Sequence, residues 1–195
     1  MAARVIAIDP GHGGYDPGAF NYGAIEKDVN LAVSIMLRDY LQQGGATVIM
    51  TREKDMDLLE ASKGPKKRQD MKNRLGIIEK SQADLFVSIH SNAIASSVWS
   101  GAQTFYQEGD EEGMRLAGLI QEELISVLQN TNRSISTAEY YLLENLYIPG
   151  VVVEVGFLSN PEEAVLLQDP EYQKKISWAI YGGIIKYFDN EPWMY

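Results

Sequence analysis

The sequence predicts a single α/β domain over residues 1–195, with a central, mostly parallel, twisted sheet of about six strands and helices on both faces. Three observations carry that prediction. Short apolar runs alternate with amphipathic stretches along the whole chain, which is the pattern of strand and helix units. The strand runs, such as Val5-Ile6-Ala7-Ile8 and Val151-Val152-Val153, are nearly continuous in apolar residues, as in parallel strands buried on both faces. The chain has two histidines, His12 and His90, and each falls at or just past the end of such a run. In open α/β sheets that is where ligands bind.

Taken in order, the first run, Val5 to Ile8, stops at Asp9-Pro10 and delivers His12 among Gly11, Gly13 and Gly14. Tyr15 to Gly23 carries turn chemistry and reads as an irregular connection. From Glu26 to Gln43, apolar residues at Val29, Val33, Met36, Leu37, Tyr40 and Leu41 follow a helical period, and Gly44-Gly45 ends it. Ala46 to Met50 is a second strand. The polar segment Asp57 to Gln69 reads as a long surface loop and candidate lid, with Gly64-Pro65 breaking any helix there. Lys67 to Ser81 follows as a helix with Met71, Leu75 and Ile78 on its apolar stripe.

Leu85 to Ile89 is the third strand and ends at His90; Gly101 to Tyr106 is a further one. Glu111 to Leu128 is an amphipathic helix with Met114, Leu116, Leu119, Ile120, Leu124 and Leu128 assigned inward. Tyr140 to Leu143 reads as a short edge strand. Val151 to Val155 is the most apolar strand and carries Glu154 within it. Asn160 or Ser159, followed by Pro161, has the chemistry of a helix start. Glu171 to Phe188 closes the domain with Ile176, Trp178, Ile180, Ile184 and Ile185 assigned inward, and no internal repeat is found.

Composition narrows the function. A net charge of −10 argues against a phosphate-neutralising surface and hence against nucleic acid as partner. The one basic cluster, Lys63 to Arg68, reads as a solvated loop. The chain lacks cysteine, so disulfides and thiolate ligands are excluded and any metal site is built from His, Asp and Glu. No segment reaches the roughly 18 apolar residues of a membrane span. The sequence starts at Met1-Ala2-Ala3-Arg4, immediately before the first strand, and the expectation is that a leader or anchor has been trimmed ahead of it.

Two histidines and a carboxylate are the ligand set of catalytic zinc, with a fourth position left to water. His12 and His90 supply the nitrogens. Glu26, Glu154, Asp9 and Asp16 all qualify as the carboxylate, and spacing does not choose among them. Whichever of Glu26 and Glu154 does not bind metal is free to act as general base on a water. Glu154 needs an explanation in any case, because a glutamate inside an apolar strand is paired or bound to something. The competing reading pairs it with Arg52 or Arg74 and treats Glu26 as a first-turn carboxylate favoured by the helix dipole. A glycosidase using Glu26 and Glu154 leaves both histidines unexplained. A nucleotide-binding loop is weaker still, because Gly11 to Gly14 has neither the GxGxxG spacing nor a P-loop lysine.

The runs Ile8-Asp9-Pro10-Gly11-His12-Gly13-Gly14, Glu26-Lys27, Ser88-Ile89-His90-Ser91-Asn92-Ala93 and Val153-Glu154-Val155-Gly156-Phe157-Leu158-Ser159-Asn160 together resemble the zinc-dependent N-acetylmuramoyl-L-alanine amidases of the amidase-3 family. Met50-Thr51-Arg52-Glu53-Lys54-Asp55, Trp99 to Phe105 and Tyr140 to Leu143 resemble its sporulation branch, which acts on spore-cortex peptidoglycan. The resemblance implies that the whole chain is one catalytic domain, that His12, Glu26 and His90 match the Zn2+ ligands and that Glu154 matches the catalytic glutamate. It further implies a peptidoglycan substrate, cleaved between N-acetylmuramic acid and L-alanine as a first step towards muramic-δ-lactam. Export to the cell wall or the space between the spore membranes, a membrane anchor or signal ahead of the domain, and a lipoprotein partner as in clostridial relatives also follow from it. The alternatives are a vegetative or phage autolysin of the same chemistry and a non-catalytic wall-binding protein.

Overall fold

A computed structural model describes residues 1–60 and 64–189. In chain order its strands are β1 (Val5–Pro10), β2 (Phe20–Asn21), β3 (Ala24–Ile25), β4 (Thr47–Met50), β5 (Leu85–Asn92), β6 (Gln103–Tyr106), β7 (Ser136–Thr137) and β8 (Gly150–Phe157). The helices are α1 (Glu26–Gln43), α2 (Lys66–Ser81), α3 (Glu111–Leu128), α4 (Tyr141–Asn145), α5 (Pro161–Leu166) and α6 (Pro170–Asp189). Six strands form one sheet in the order β4-β1-β5-β8-β6-β7, and β2 and β3 make a separate hairpin. β4, β1, β5 and β8 run parallel, whereas β6 is antiparallel to β8 and β7 follows β6. The α/β architecture expected from the sequence is the one observed.

Successive strand residues face opposite sides, and here the two sides are unequal. Ile6 and Ile8, Val87 and Ile89, and Val151, Val153 and Val155 enter a large core with the apolar faces of α1, α3 and α6. Ala7, Phe86 and Val152 enter a smaller core with Ile78 of α2 and Leu142 and Leu143 of α4. The same alternation turns Asp9, Ser88, His90 and Glu154 towards the smaller side. There, among the described residues, α2 and the short α4 are the helices that roof the sheet, and a cavity of about 300 Å³ opens between them.

Three expectations are corrected. Tyr140 to Leu143 is not an edge strand: Tyr141–Asn145 is a helix, and β7 takes the edge. Leu142 and Leu143 are adjacent and both buried, which one helical turn allows and an alternating strand does not. Trp178 and Met114, assigned inward, are 51% and 45% exposed. Trp178 lies two residues from Ile176 and from Ile180, about 200° around the helix, so it points outward, whereas Met114 stands in the first turn of α3 on the flank of its stripe. The connection from Tyr15 to Gly23 is less irregular than expected, because it contains the β2-β3 hairpin. Of the expected loop Asp57 to Gln69, residues 61–63 lie outside the described residues. The part through Glu60 is tied to α2 by Leu58 N–H donating to Asp70 (2.7 Å) and Asn73 donating to the Leu58 carbonyl (2.5 Å).

Candidate metal centre

The site is assembled from the carboxyl ends of β1, β5 and β8 and the amino end of α1. Glu26 is the first residue of α1 and is buried. Its Oε1 lies 3.1 Å from His12 Nε2 and 3.0 Å from His90 Nδ1. It also accepts the Ser91 N–H at 3.3 Å, and its Oε2 accepts the Ala19 N–H at 2.9 Å. The carboxylate is therefore fixed at both oxygens. Burial pushes the Glu26 carboxyl up, but the hydrogen bonds and charges of His12 and His90 outweigh it and hold the group well below the usual carboxylate range. His12 is raised: burial lowers it, and Glu26 and Asp16 together reverse that.

His12, Glu26 and His90 each offer a ligand atom, and the three atoms lie within 4.8 Å of one another. Two imidazole nitrogens and one carboxylate oxygen, with a position left over, fit the donor set of a catalytic metal ion. Asp9, considered from the sequence as a ligand, has a different use. It is buried, accepts from Thr51 Oγ1 (2.6 Å) and Ser88 Oγ (2.9 Å), and pairs with Arg74 (2.7 Å). Asp16 stands behind His12, 2.9 Å from its Nδ1.

The loop that carries His12 is clamped by two buried arginines. Arg74 donates to the carbonyls of Pro10 (2.9 Å) and His12 (2.6 Å), and Arg52 donates to those of Pro10 (3.0 Å) and Gly11 (2.9 Å). Neither arginine pairs with Glu154, so the ion-pair explanation of that residue fails. Gly11 is required by space, since a Cβ there would overlap the His90 ring.

Glu154 sits one strand over from His90, at the paired register position. It is buried; its Oε1 accepts the Tyr140 hydroxyl at 3.2 Å, and its Oε2 has no hydrogen-bond partner among the described residues. Burial pushes its carboxyl up, helped by the Glu26 charge and opposed by His90 and Tyr140. A buried carboxylate with one free oxygen and a raised pKa, whose neighbours Tyr140 and His90 line the cavity, is suited to taking and giving a proton. Tyr140 lines the cavity, together with His12, His90, Met71 and Leu142. Sequence reasoning passed over Tyr140; it weighed Asp16 as a ligand and not as a support of His12, and Arg52 and Arg74 as partners of Glu154 and not as clamps on the His12 loop. The fixed spacing of Asp16, four residues after His12, was the one signal available for any of them.

The fold and this cluster define an α/β enzyme domain with a candidate metal-ligand set at the carboxyl end of its parallel strands. More particularly, the chain belongs to the N-acetylmuramoyl-L-alanine amidase family, which it matches over residues 6–186, and it is a peptidoglycan amidase. It is 48% identical to the germination-specific N-acetylmuramoyl-L-alanine amidase of Bacillus subtilis (strain 168), over 98% of this chain and 82% of that protein. Among solved structures it is similar to the CwlD amidase from Clostridioides difficile in complex with the GerS lipoprotein, with 45% identity, a TM-score of 0.92 and coverage of 95% and 98% of the two chains. The catalytic domain of CwlV, an N-acetylmuramoyl-L-alanine amidase from Bacillus (Paenibacillus) polymyxa var. colistinus, matches with 31% identity and a TM-score of 0.84, covering 95% of this chain and 98% of that one.

Proposed function

We propose that His12, Glu26 and His90 hold zinc and that Glu154 is the proton-transferring residue in hydrolysis of the amide between the lactyl group of N-acetylmuramic acid and L-alanine. The convergence of one ligand atom each from His12, Glu26 and His90 within 4.8 Å supports this most directly. Zinc supplies Lewis acidity, which acidifies a water and polarises a carbonyl. The work of the chain is then positional and protolytic. Glu26 is kept anionic and fixed at both oxygens, and the arginine clamp holds the His12 loop. Glu154 accepts a proton from the attacking water at its free Oε2. The water oxygen bonds to the lactyl carbonyl carbon, the C–N bond breaks, and Glu154 returns the proton to the departing amine of L-alanine. The products are a free lactyl carboxyl group and a free peptide amine.

The substrate we assign is spore-cortex peptidoglycan, with stem-peptide removal preceding muramic-δ-lactam formation. The germination-specific relative supports that choice. With that substrate we assign the protein to the outside of the cell, in the wall or between the spore membranes, and the lipoprotein complex of the CwlD amidase supports a lipoprotein partner. Among the described residues no helix is long and apolar enough to cross a membrane.

Zinc content and release of stem peptides from purified muropeptides test the proposal. Glu154→Gln is expected to keep stoichiometric zinc and lose about 10²- to 10⁴-fold in turnover, whereas His90→Ala is expected to lose zinc at equilibrium. Near-normal turnover in the first variant, or full zinc occupancy in the second, overturns it.

A further inference from the structure

The two histidines present opposite ring nitrogens to the same point. His12 directs Nε2 at Glu26 Oε1 (3.1 Å), and His90 directs Nδ1 at it (3.0 Å). An imidazole that gives one nitrogen to a metal keeps its proton on the other, and that N–H is normally held by a carboxylate or carbonyl, which fixes the tautomer. For His12 the holder is Asp16. Its Nδ1 lies 2.9 Å from Asp16 Oδ2, while Asp16 Oδ1 accepts the Gly18 N–H at 3.1 Å. Both oxygens of Asp16 are thus committed, and neither belongs to the three converging ligand atoms.

The loop from Asp16 to Ala19 braces Glu26 as well. Ala19 N–H donates to Glu26 Oε2 at 2.9 Å. Gly18 lies so close that a Cβ there would stand 2.5 Å from Glu26 Oε2 and 2.8 Å from His12 Cδ2, and its φ of +66° suits glycine. One short loop therefore sets the direction of two of the three donors.

We propose that Asp16 is a positioning residue of the metal centre: it accepts the Nδ1 proton of His12 and so presents Nε2 to the ion. The two histidines then bind as opposite tautomers, His12 through Nε2 and His90 through Nδ1. The inference rests on the reading of His12, Glu26 and His90 as the zinc ligands. Asp16 does not touch the ion or the substrate; it acts through the His12 ring.

The test uses the full chain with zinc ion as probe. Zinc affinity is measured by competition with a chromophoric chelator in wild type, Asp16→Asn, Asp16→Ala and His12→Ala. Because the chain has two histidines, long-range ¹H–¹⁵N spectra of the zinc-loaded protein report every imidazole. Loss of such a supporting carboxylate is expected to weaken zinc binding by about 10- to 100-fold in Asp16→Ala. Asp16→Asn retains an acceptor oxygen without the charge and is expected to fall between, a partial rescue that general loosening of the loop does not produce. It also serves where Asp16→Ala folds poorly. Wild type is expected to show a protonated Nδ1 on one ring and a protonated Nε2 on the other.

If wild type binds zinc and His12→Ala does not, while both Asp16 variants bind like wild type, the role of Asp16 is overturned and the ligand reading stands. The same tautomer on both rings also overturns it. If wild type fails to bind zinc, or His12→Ala binds as tightly, the ligand reading falls and this inference falls with it.

Discussion

His12 holds a left-handed backbone with φ of 61°, a conformation that costs a non-glycine residue about 1–3 kcal/mol and persists where the surroundings over-determine it. Arg74 on its carbonyl and Arg52 on the two preceding carbonyls do so here. Tyr140 plays a comparable part for Glu154: its hydroxyl fills one carboxylate oxygen and leaves the other free. A hydrogen bond to a charged group is worth about 1.5–3 kcal/mol. Tyr140→Phe is therefore expected to lower kcat by about 10- to 100-fold with zinc content unchanged, as steady-state kinetics with metal analysis would check; loss of zinc would place Tyr140 in the metal site instead. At this scale the histidines and Glu154 were legible because each breaks the chemistry of an apolar run. Glu26 was one of four candidate carboxylates that only the family resemblance singled out, since a first-turn carboxylate is ordinary by itself and its meaning lies in His90, 64 residues away.

At the scale of elements, α2 is more than a cover for the sheet. Arg74, 2% exposed, joins Asp70 on its own helix (2.6 Å) to Asp9 on β1 (2.7 Å) and reaches on to the His12 loop. Breaking a buried pair on one side leaves an uncompensated charge and costs about 3–5 kcal/mol. Arg74→Met is expected to lose about that much in urea unfolding at neutral pH and to weaken zinc binding through the loosened loop. The pH dependence has a definite sign. Burial raises the Asp9 carboxyl, but Arg74 and Thr51 outweigh it and hold the group below its ordinary 3.8. A carboxylate depressed in the folded state adds stability above its unfolded pKa, and that contribution is lost as pH falls through the lower folded value. Wild type should therefore lose stability on acidification below pH about 4, and the gap to Arg74→Met should narrow there. A gap that widens with acid would assign the pair no such role. The strands and long helices were readable from periodicity, whereas α4 was missed because five residues are too few to show a helical period. The partners of Arg52 and Arg74 depended on which element packs where, and neither local propensity nor spacing encodes that.

For the molecule as a whole, the division of the sheet into a thick side and a thin side explains where chemistry can occur. The large core with α1, α3 and α6 carries most of the burial, and the side roofed by α2 and α4 is free to hold polar groups and a cavity. The candidate metal centre stands at that edge and links β1, the start of α1 and β5. Neither core includes His12, Glu26 or His90, so the chain is expected to fold without the ion and to gain stability when the ion binds. Linkage gives about 4 kcal/mol at free zinc 1,000-fold above Kd. For a chain of this length that corresponds to a rise in Tm of about 8–16 °C. Thermal unfolding with added zinc and with chelator, followed by circular dichroism, measures it, and His90→Ala should show no zinc-dependent shift. If chelator alone unfolds the wild-type protein at 25 °C, the ion belongs to the folding core and the separation of core from site is wrong; if chelated protein keeps its helical signal and melts at the temperature of zinc-free His90→Ala, the scaffold stands by itself and the metal is held by a site built in advance.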